Sequence, residues 1–144
     1  MVAYGEGMRQ RPSSTPVHSE KSQKTSAFGN YAEDLAAQFL VRKGYEVLAR
    51  NWRRPWGELD IIARIRELVV FVEVKAGRGS GAHFQPELHV TGEKIKKLLR
   101  TARTYLVAHD HSPEQEWQID VISVTVDVAA QKAHIRHYKN IEVG

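Results

Sequence analysis

Asp60, Glu73 and Lys75 are the residues whose types and spacing could do chemistry in this 144-residue chain. Asp60 closes the stretch Gly57-Glu58-Leu59-Asp60, and the other two lie in Phe71-Val72-Glu73-Val74-Lys75. Both stretches sit in apolar runs that read as strands, where a sheet normally carries apolar side chains. An acid in one strand, followed by acid-x-lysine in the next, is what metal-dependent phosphodiester cleavage needs. The carboxylates supply hard oxygen ligands. The lysine supplies a cation that can orient a water or offset charge on the phosphate.

The geometry expected of the two strands brings these groups together. Side chains alternate along a strand, so Glu58, Asp60, Ile62 and Arg64 share one face, and Val69, Phe71, Glu73 and Lys75 share one face of the next. Counting inward from Ile65 opposite Leu68, about a turn at Arg66-Glu67, places Asp60 opposite Glu73 and Glu58 opposite Lys75. Like charges facing each other destabilise a sheet, and burial makes this worse. Either one carboxylate keeps its proton or a cation sits between them. Oxygen ligands without thiolates suit Mg²⁺ or Mn²⁺. Lys75 lies two residues beyond Glu73, roughly 6.5–7 Å along the strand, beside such an ion without displacing it. Glu33 adds a further acid at the margin of a helical apolar stripe. From there it could look under the helix toward the sheet and bind a second metal or the attacking water.

The elements that must position these groups are legible as periodic patterns. Ala32, Leu35, Ala36, Phe39 and Leu40 mark one face of a helix over 28–43, and Gly44 is its stop signal. Strands are expected over 45–52, 58–65 and 68–76, then a glycine-rich loop over 77–86. A second helix spans 91–109, with Thr91 as N-cap and Glu93 in the first turn. Further strands follow over 117–126 and 133–138. Short connections make the first three strands an antiparallel meander. The helix before the fourth strand is long enough for a crossover, making that pair parallel. The expectation is an α/β fold with a mixed sheet flanked by helices. Residues 1–27, rich in Ser, Thr, Pro, Gln and Lys without hydrophobic period, read as a disordered leader before a single domain over 28–144.

Composition narrows the classes. The chain contains no cysteine, which excludes disulfide frameworks, thiolate zinc sites and cysteine nucleophiles. No apolar run approaches the roughly 20 residues of a membrane-spanning helix, and the N-terminus lacks the apolar segment of a secretory signal, so a cytoplasmic protein without a membrane partner is expected. Net charge is +4. Its placement says more than its size. Lys94, Lys96, Lys97, Arg100 and Arg103 make the second helix basic, which reads either as a solvated face or as a phosphate-backbone contact. Arg50, Arg53 and Arg54 interleave with Trp52 and Trp56, a pattern suited to stacking on unpaired bases, although Trp52 reads better as an anchor of the meander. Gly77-Arg78-Gly79-Ser80-Gly81 lacks the third glycine and the following helix of a dinucleotide motif, and suits a loop closing on a nucleic-acid strand. The candidate nucleic-acid contacts are Arg53, Arg54, Trp56, Arg78, Lys94 and Lys97. For Asp60, Glu73 and Lys75 themselves, the plainer alternative is an ion-pair ladder on a half-exposed sheet.

The acid, acid-x-lysine pattern on a helix–meander–helix–strand core resembles the PD-(D/E)xK nuclease superfamily, with its restriction-endonuclease-like fold. Gly29 with Glu33 and the Ala36-Ala37 pair, Gly44-Tyr45, Arg50-Asn51-Trp52-Arg53, Gly57 to Ala63 and Val70 to Lys75 together resemble the YraN-type family of uncharacterised bacterial proteins. The resemblance runs from about Phe28 to Ile141. It implies metal ligands at Asp60 and Glu73, assisted by the main-chain carbonyl of Val74, with Lys75 as catalytic lysine. Glu33 matches a helical acid of the Holliday-junction resolvases, which also implies a homodimer by analogy. Glu58 is a further candidate beside Lys75. Two departures stand out: Gly77 where the family usually has Arg, followed by Arg78, and Gln118-Ile119-Asp120 where it often has Arg-Phe-Asp. The function implied is a divalent-metal-dependent nuclease acting on DNA, including branched or otherwise non-standard DNA. The alternative is a catalytically silent nucleic-acid-binding accessory protein on the same fold.

Overall fold

Among the described residues the first helix opens at Glu20, eight residues before the start that the apolar period predicts. The computed structural model describes residues 20–79 and 90–141. The remainder of the expected leader and most of the expected glycine-rich loop lie outside the described residues. Helix α1 spans Glu20–Arg42. The strands are β1 (Glu46–Arg54), β2 (Gly57–Ile65), β3 (Leu68–Arg78), β4 (Trp117–Asp127) and β5 (Lys132–Tyr138), with helix α2 (Gly92–Ala108) between β3 and β4. They form one five-stranded sheet in the order β1-β2-β3-β4-β5. The first three strands are an antiparallel meander, β3 and β4 are parallel, and β5 returns antiparallel. This is the mixed α/β arrangement that the restriction-endonuclease-like resemblance implies.

Local chemistry sets the helix ends. Gly44 takes φ +98°, while Gly44 N–H donates to Val41 O and Tyr45 N–H to Leu40 O, both at 3.0 Å. That pair of bonds satisfies carbonyls at the end of α1 and turns the chain into β1. At the start of α2, Thr91 Oγ1 accepts from Lys94 N–H at 3.1 Å. Among the described residues, no helix is long and apolar enough to cross a membrane.

Each helix covers one face of the sheet. Ala32, Leu35, Ala36 and Leu40 of α1 pack on Ile61, Ala63, Val70, Val72, Ile122 and Val124. Leu98, Ala102 and Tyr105 of α2 pack on Leu59, Ile62, Val69, Phe71 and Ile119. Two packed faces explain why β4 is buried almost throughout and why β3 opens on a continuous apolar run, Leu68 to Val72, instead of alternating. Helix α2 also lies close on the start of β2: a Cβ on Gly57 would come within 2.5 Å of the Thr101 hydroxyl oxygen. Only glycine permits that approach without moving the Thr101 side chain off its bond to the Lys97 carbonyl.

The β2–β3 register follows the expected count. Ile65 pairs with Leu68, Arg64 with Val69, and so on to Ile61 with Val72. There the ladder stops. Asp60 and Glu73, and Glu58 and Lys75, are not the ladder partners that extending the count predicts. Alternation also fails at this point: Leu59 packs with the α2 face, whereas Ile61 and Ala63 pack with the α1 face. Glu58, Asp60, Ile62 and Arg64 therefore do not form the continuous face that strict alternation requires.

Candidate active site

The break in the ladder is where the acids gather. Asp60 Oδ2 accepts a hydrogen bond from the Val74 N–H at 2.8 Å. A side chain of β2 thus replaces the main-chain partner that β3 would otherwise have, and the strands part around it. Val74 enters the site through this N–H. Glu73, beside it, is only 8% exposed. Burial and the Glu73 carboxylate push the Asp60 pKa up to about 8, with smaller contributions in the same direction from Glu33 and Glu58. The Val74 hydrogen bond works against them. Three other carboxylates therefore act on Asp60, and in the protein alone Asp60 answers them by keeping its proton near neutral pH.

Glu33 reaches this cluster from α1. It is 5% exposed. Arg50 Nε donates to its Oε1 at 3.0 Å, Arg50 Nη2 lies 2.9 Å from the same oxygen, and Asn51 Nδ2 donates to it at 2.9 Å. None of these contacts engages Oε2. Burial still pushes the Glu33 pKa up, with Arg50 opposing. Arg50 is fixed in turn by Asp34 at 2.7 Å. Arg50 is therefore committed to two acids of α1, and its expected part in stacking on bases is corrected. Asn51 reaches Glu33 from a left-handed backbone, φ +53°, which asparagine tolerates better than most residues. The sequence offers the Arg50-Asn51 dipeptide as a motif without revealing that its partner lies 17 residues upstream.

The α2 side is built differently. Lys94 Nζ lies 3.4 Å from Glu73 Oε2. Arg53 Nε lies 3.4 Å from Glu58 Oε2 on a largely exposed rim. Lys75 lies on β3, paired in register with Ser123 of β4. Among the described residues, no group of three or more His, Asp or Glu is arranged to hold a metal ion. Asp60 and Glu73 could offer an ion no more than a pair of side-chain carboxylates. Among the common divalent ions, Mg²⁺ is the one usually held by as few as one or two carboxylates, because it keeps several waters.

The basic candidates fall in two places. Arg53, Arg54, Trp56 and Lys97 lie around the β1–β2 turn and the first turns of α2. Arg100 covers the Trp56 ring at 4.0 Å, and Trp56 Nε1 is buried without a hydrogen-bond partner among the described residues. Arg54 covers Trp52 at 3.8 Å, while Trp52 packs edge-on against Tyr105 at 5.2 Å, as an anchor would. Arg78 sits elsewhere, over the Phe28 ring at 3.9 Å. Asp120 is fully buried. It accepts from Gln118 Nε2 at 2.9 Å and Asn140 N–H at 2.8 Å, and lies 2.7 Å from His137 Nε2. The glutamine that stands in the place of an arginine thus helps satisfy a structural acid.

The model of UPF0102, described as an uncharacterised protein family, matches residues 32–124. A UPF0102 protein of Roseiflexus castenholzii is 41% identical over 114 residues, covering 79% of this chain and 91% of its own. One from Fervidobacterium nodosum is 35% identical over 130 residues, covering 86% and 92%. A third, from Beutenbergia cavernae, is 42% identical over 115 residues, covering 80% and 95%. Among solved structures, Pyrococcus furiosus SfsA in complex with Ca²⁺ is 16% identical with a TM-score of 0.40. That alignment covers 82% of this chain, which spans 65%, just under two thirds, of that one.

Proposed function

Because the chain belongs to the uncharacterised protein family UPF0102, the YraN-type family its motifs resemble, membership supplies no activity, and we propose from the site itself that it is a divalent-metal-dependent nuclease. It hydrolyses phosphodiester bonds in DNA, including branched or otherwise non-standard DNA, in the cytoplasm, and cuts paired strands as a homodimer. The observation that carries this reading is the meeting of a half-buried acid, Asp60, and a buried one, Glu73, where β2 and β3 part around the 2.8 Å Asp60–Val74 bond. A fold does not need like charges in its sheet, and burying them without a cation is costly.

Asp60 and Glu73 would hold Mg²⁺ or Mn²⁺, with the Val74 carbonyl that the resemblance implies. The ion, when bound, supplies Lewis acidity toward a phosphoryl oxygen and an acidified water. The chain's own residues do the rest. Asp60 gives up the proton that it otherwise retains. Lys75 offsets negative charge on the phosphate during in-line attack by water. Glu33, fixed through Oε1, presents Oε2 as an acceptor for the attacking water. Glu58 adds negative charge that favours a cation at Asp60. Arg53, Arg54 and Lys97 hold the phosphate backbone beside the site, and Arg78, farther off, contacts a flanking stretch.

A second reading, a silent nucleic-acid-binding accessory protein, is favoured by the Arg50–Glu33 and Lys94–Glu73 pairs, which already counter two of the acids. One experiment separates the two. Linear, flapped, four-way and single-stranded DNA are incubated with wild type and Lys75→Ala under Mg²⁺ or Mn²⁺. Cutting by wild type, lost in Lys75→Ala while binding persists, supports the nuclease. Binding by both without cutting supports the accessory protein.

A further inference from the structure

We infer that Lys94 is a cation shared between Glu73 and a substrate phosphate, so that metal and nucleic acid each strengthen binding of the other. This inference rests on the nuclease reading and adds to it a residue that couples its two ligands.

Lys94 is fixed at its main chain and loose at its tip. Its N–H is the one held by the Thr91 cap, so the position of its Cα follows from the start of α2. Its side chain is 50% exposed, whereas that of Glu73, which it meets at 3.4 Å, is 10% exposed. One partner is therefore set in the protein and the other stands in solvent with a flexible four-carbon stem. Glu73 is also one of the two carboxylates available to a divalent ion. Such an ion sits roughly 2.0–2.6 Å from a carboxylate oxygen. An ammonium on the same carboxylate then faces a second cation across a buried group, and the two repel. Metal binding and the Lys94–Glu73 pair are in competition.

The lysine has somewhere else to go. Lys97 is exposed one helical turn along, within the spacing at which neighbouring side chains on a helix meet. A phosphate docked over the start of α2 takes both ammonium groups. Lys94 then leaves Glu73, and Glu73 is released to the metal. By linkage, bound metal releases Lys94 to the phosphate by the same factor. In the absence of substrate, the pair lowers the standing affinity of the site for metal.

Calcium titration of the full chain by calorimetry tests this without turnover, using wild type, Lys94→Gln and Lys94→Arg. Anisotropy of a labelled DNA duplex with and without Ca²⁺ is measured on the same proteins. Lys94→Gln is expected to bind Ca²⁺ roughly threefold to fivefold tighter than wild type, the scale of one partly exposed ion pair. Lys94→Arg is expected to stay close to wild type. The gain in duplex affinity on adding Ca²⁺ is expected to shrink in Lys94→Gln. Ca²⁺ binding by Lys94→Gln no tighter than by wild type, or an undiminished duplex gain, overturns the coupling and leaves the metal site standing. Failure of wild type itself to bind Ca²⁺ overturns the nuclease reading, and the coupling with it.

Discussion

The acid of α1 and the acid of β3 meet their cations in opposite ways. Glu33 is gripped by a guanidinium at 2.9 and 3.0 Å and by Asn51 at 2.9 Å, and the guanidinium is itself anchored on Asp34. Glu73 is met by a half-exposed ammonium at 3.4 Å. Arginine's planar fork is suited to a fixed pair, and lysine's flexible point charge to one that exchanges. The lesson is that the α1 rim of the site is built with the fold, while the α2 rim is left free to answer a ligand. Substitutions on the first rim should therefore cost stability, and substitutions toward the second should change binding and rate.

The sharpest separation comes from Lys75→Ala. Cleavage should fall about 10²- to 10³-fold, the usual cost of removing one charge aimed at a transition state, with little change in melting temperature. A comparable loss of stability would put Lys75 on the structural side of the comparison.

The pH response of Asp60 comes next. Its pKa is raised from 3.8 to about 8 in the folded protein. Between those values the unfolded chain has lost the proton and the folded protein still holds it, so the contribution of this group to stability is greatest below pH 4 and is lost as pH rises toward 8. Metal-free wild type should thus lose melting temperature across that window more steeply than Asp60→Asn. Calcium affinity should rise with pH in the same range, by up to about tenfold per unit, because binding displaces the proton.

Arg50→Met follows, with an expected loss of about 2 kcal/mol in urea denaturation, since it leaves Glu33 buried without its charged partner. Lys94→Gln should cost least, below about 0.5 kcal/mol, as for other solvent-facing pairs. Equal costs for the two would erase the distinction between a built rim and an exchangeable one.

The β2–β3 register was legible because it follows from a two-residue turn and two apolar runs, all local. Its end was not, because Asp60 breaks the ladder by bonding the Val74 N–H, and no strand periodicity reports a side chain competing for the main chain. Lys94 was legible as a basic residue in the first turn of α2, but its approach to Glu73 shows only once α2 is packed on the sheet. The role of Arg50 was hidden: beside Trp52 it looks like a base-stacking cation, and only the packing of α1 on β1 reveals Glu33 and Asp34 as its partners. The early start of α1 was hidden for a different reason, since 20–27 carries no apolar period to betray a helix.

The central claim, that Asp60 and Glu73 together bind one divalent cation, is tested most directly by calcium calorimetry at pH 8 on wild type and the double variant Asp60→Asn/Glu73→Gln. Saturable binding by wild type, absent from a double variant that still melts cooperatively, is the predicted result. Equal heats from both proteins, or none from either, would contradict it.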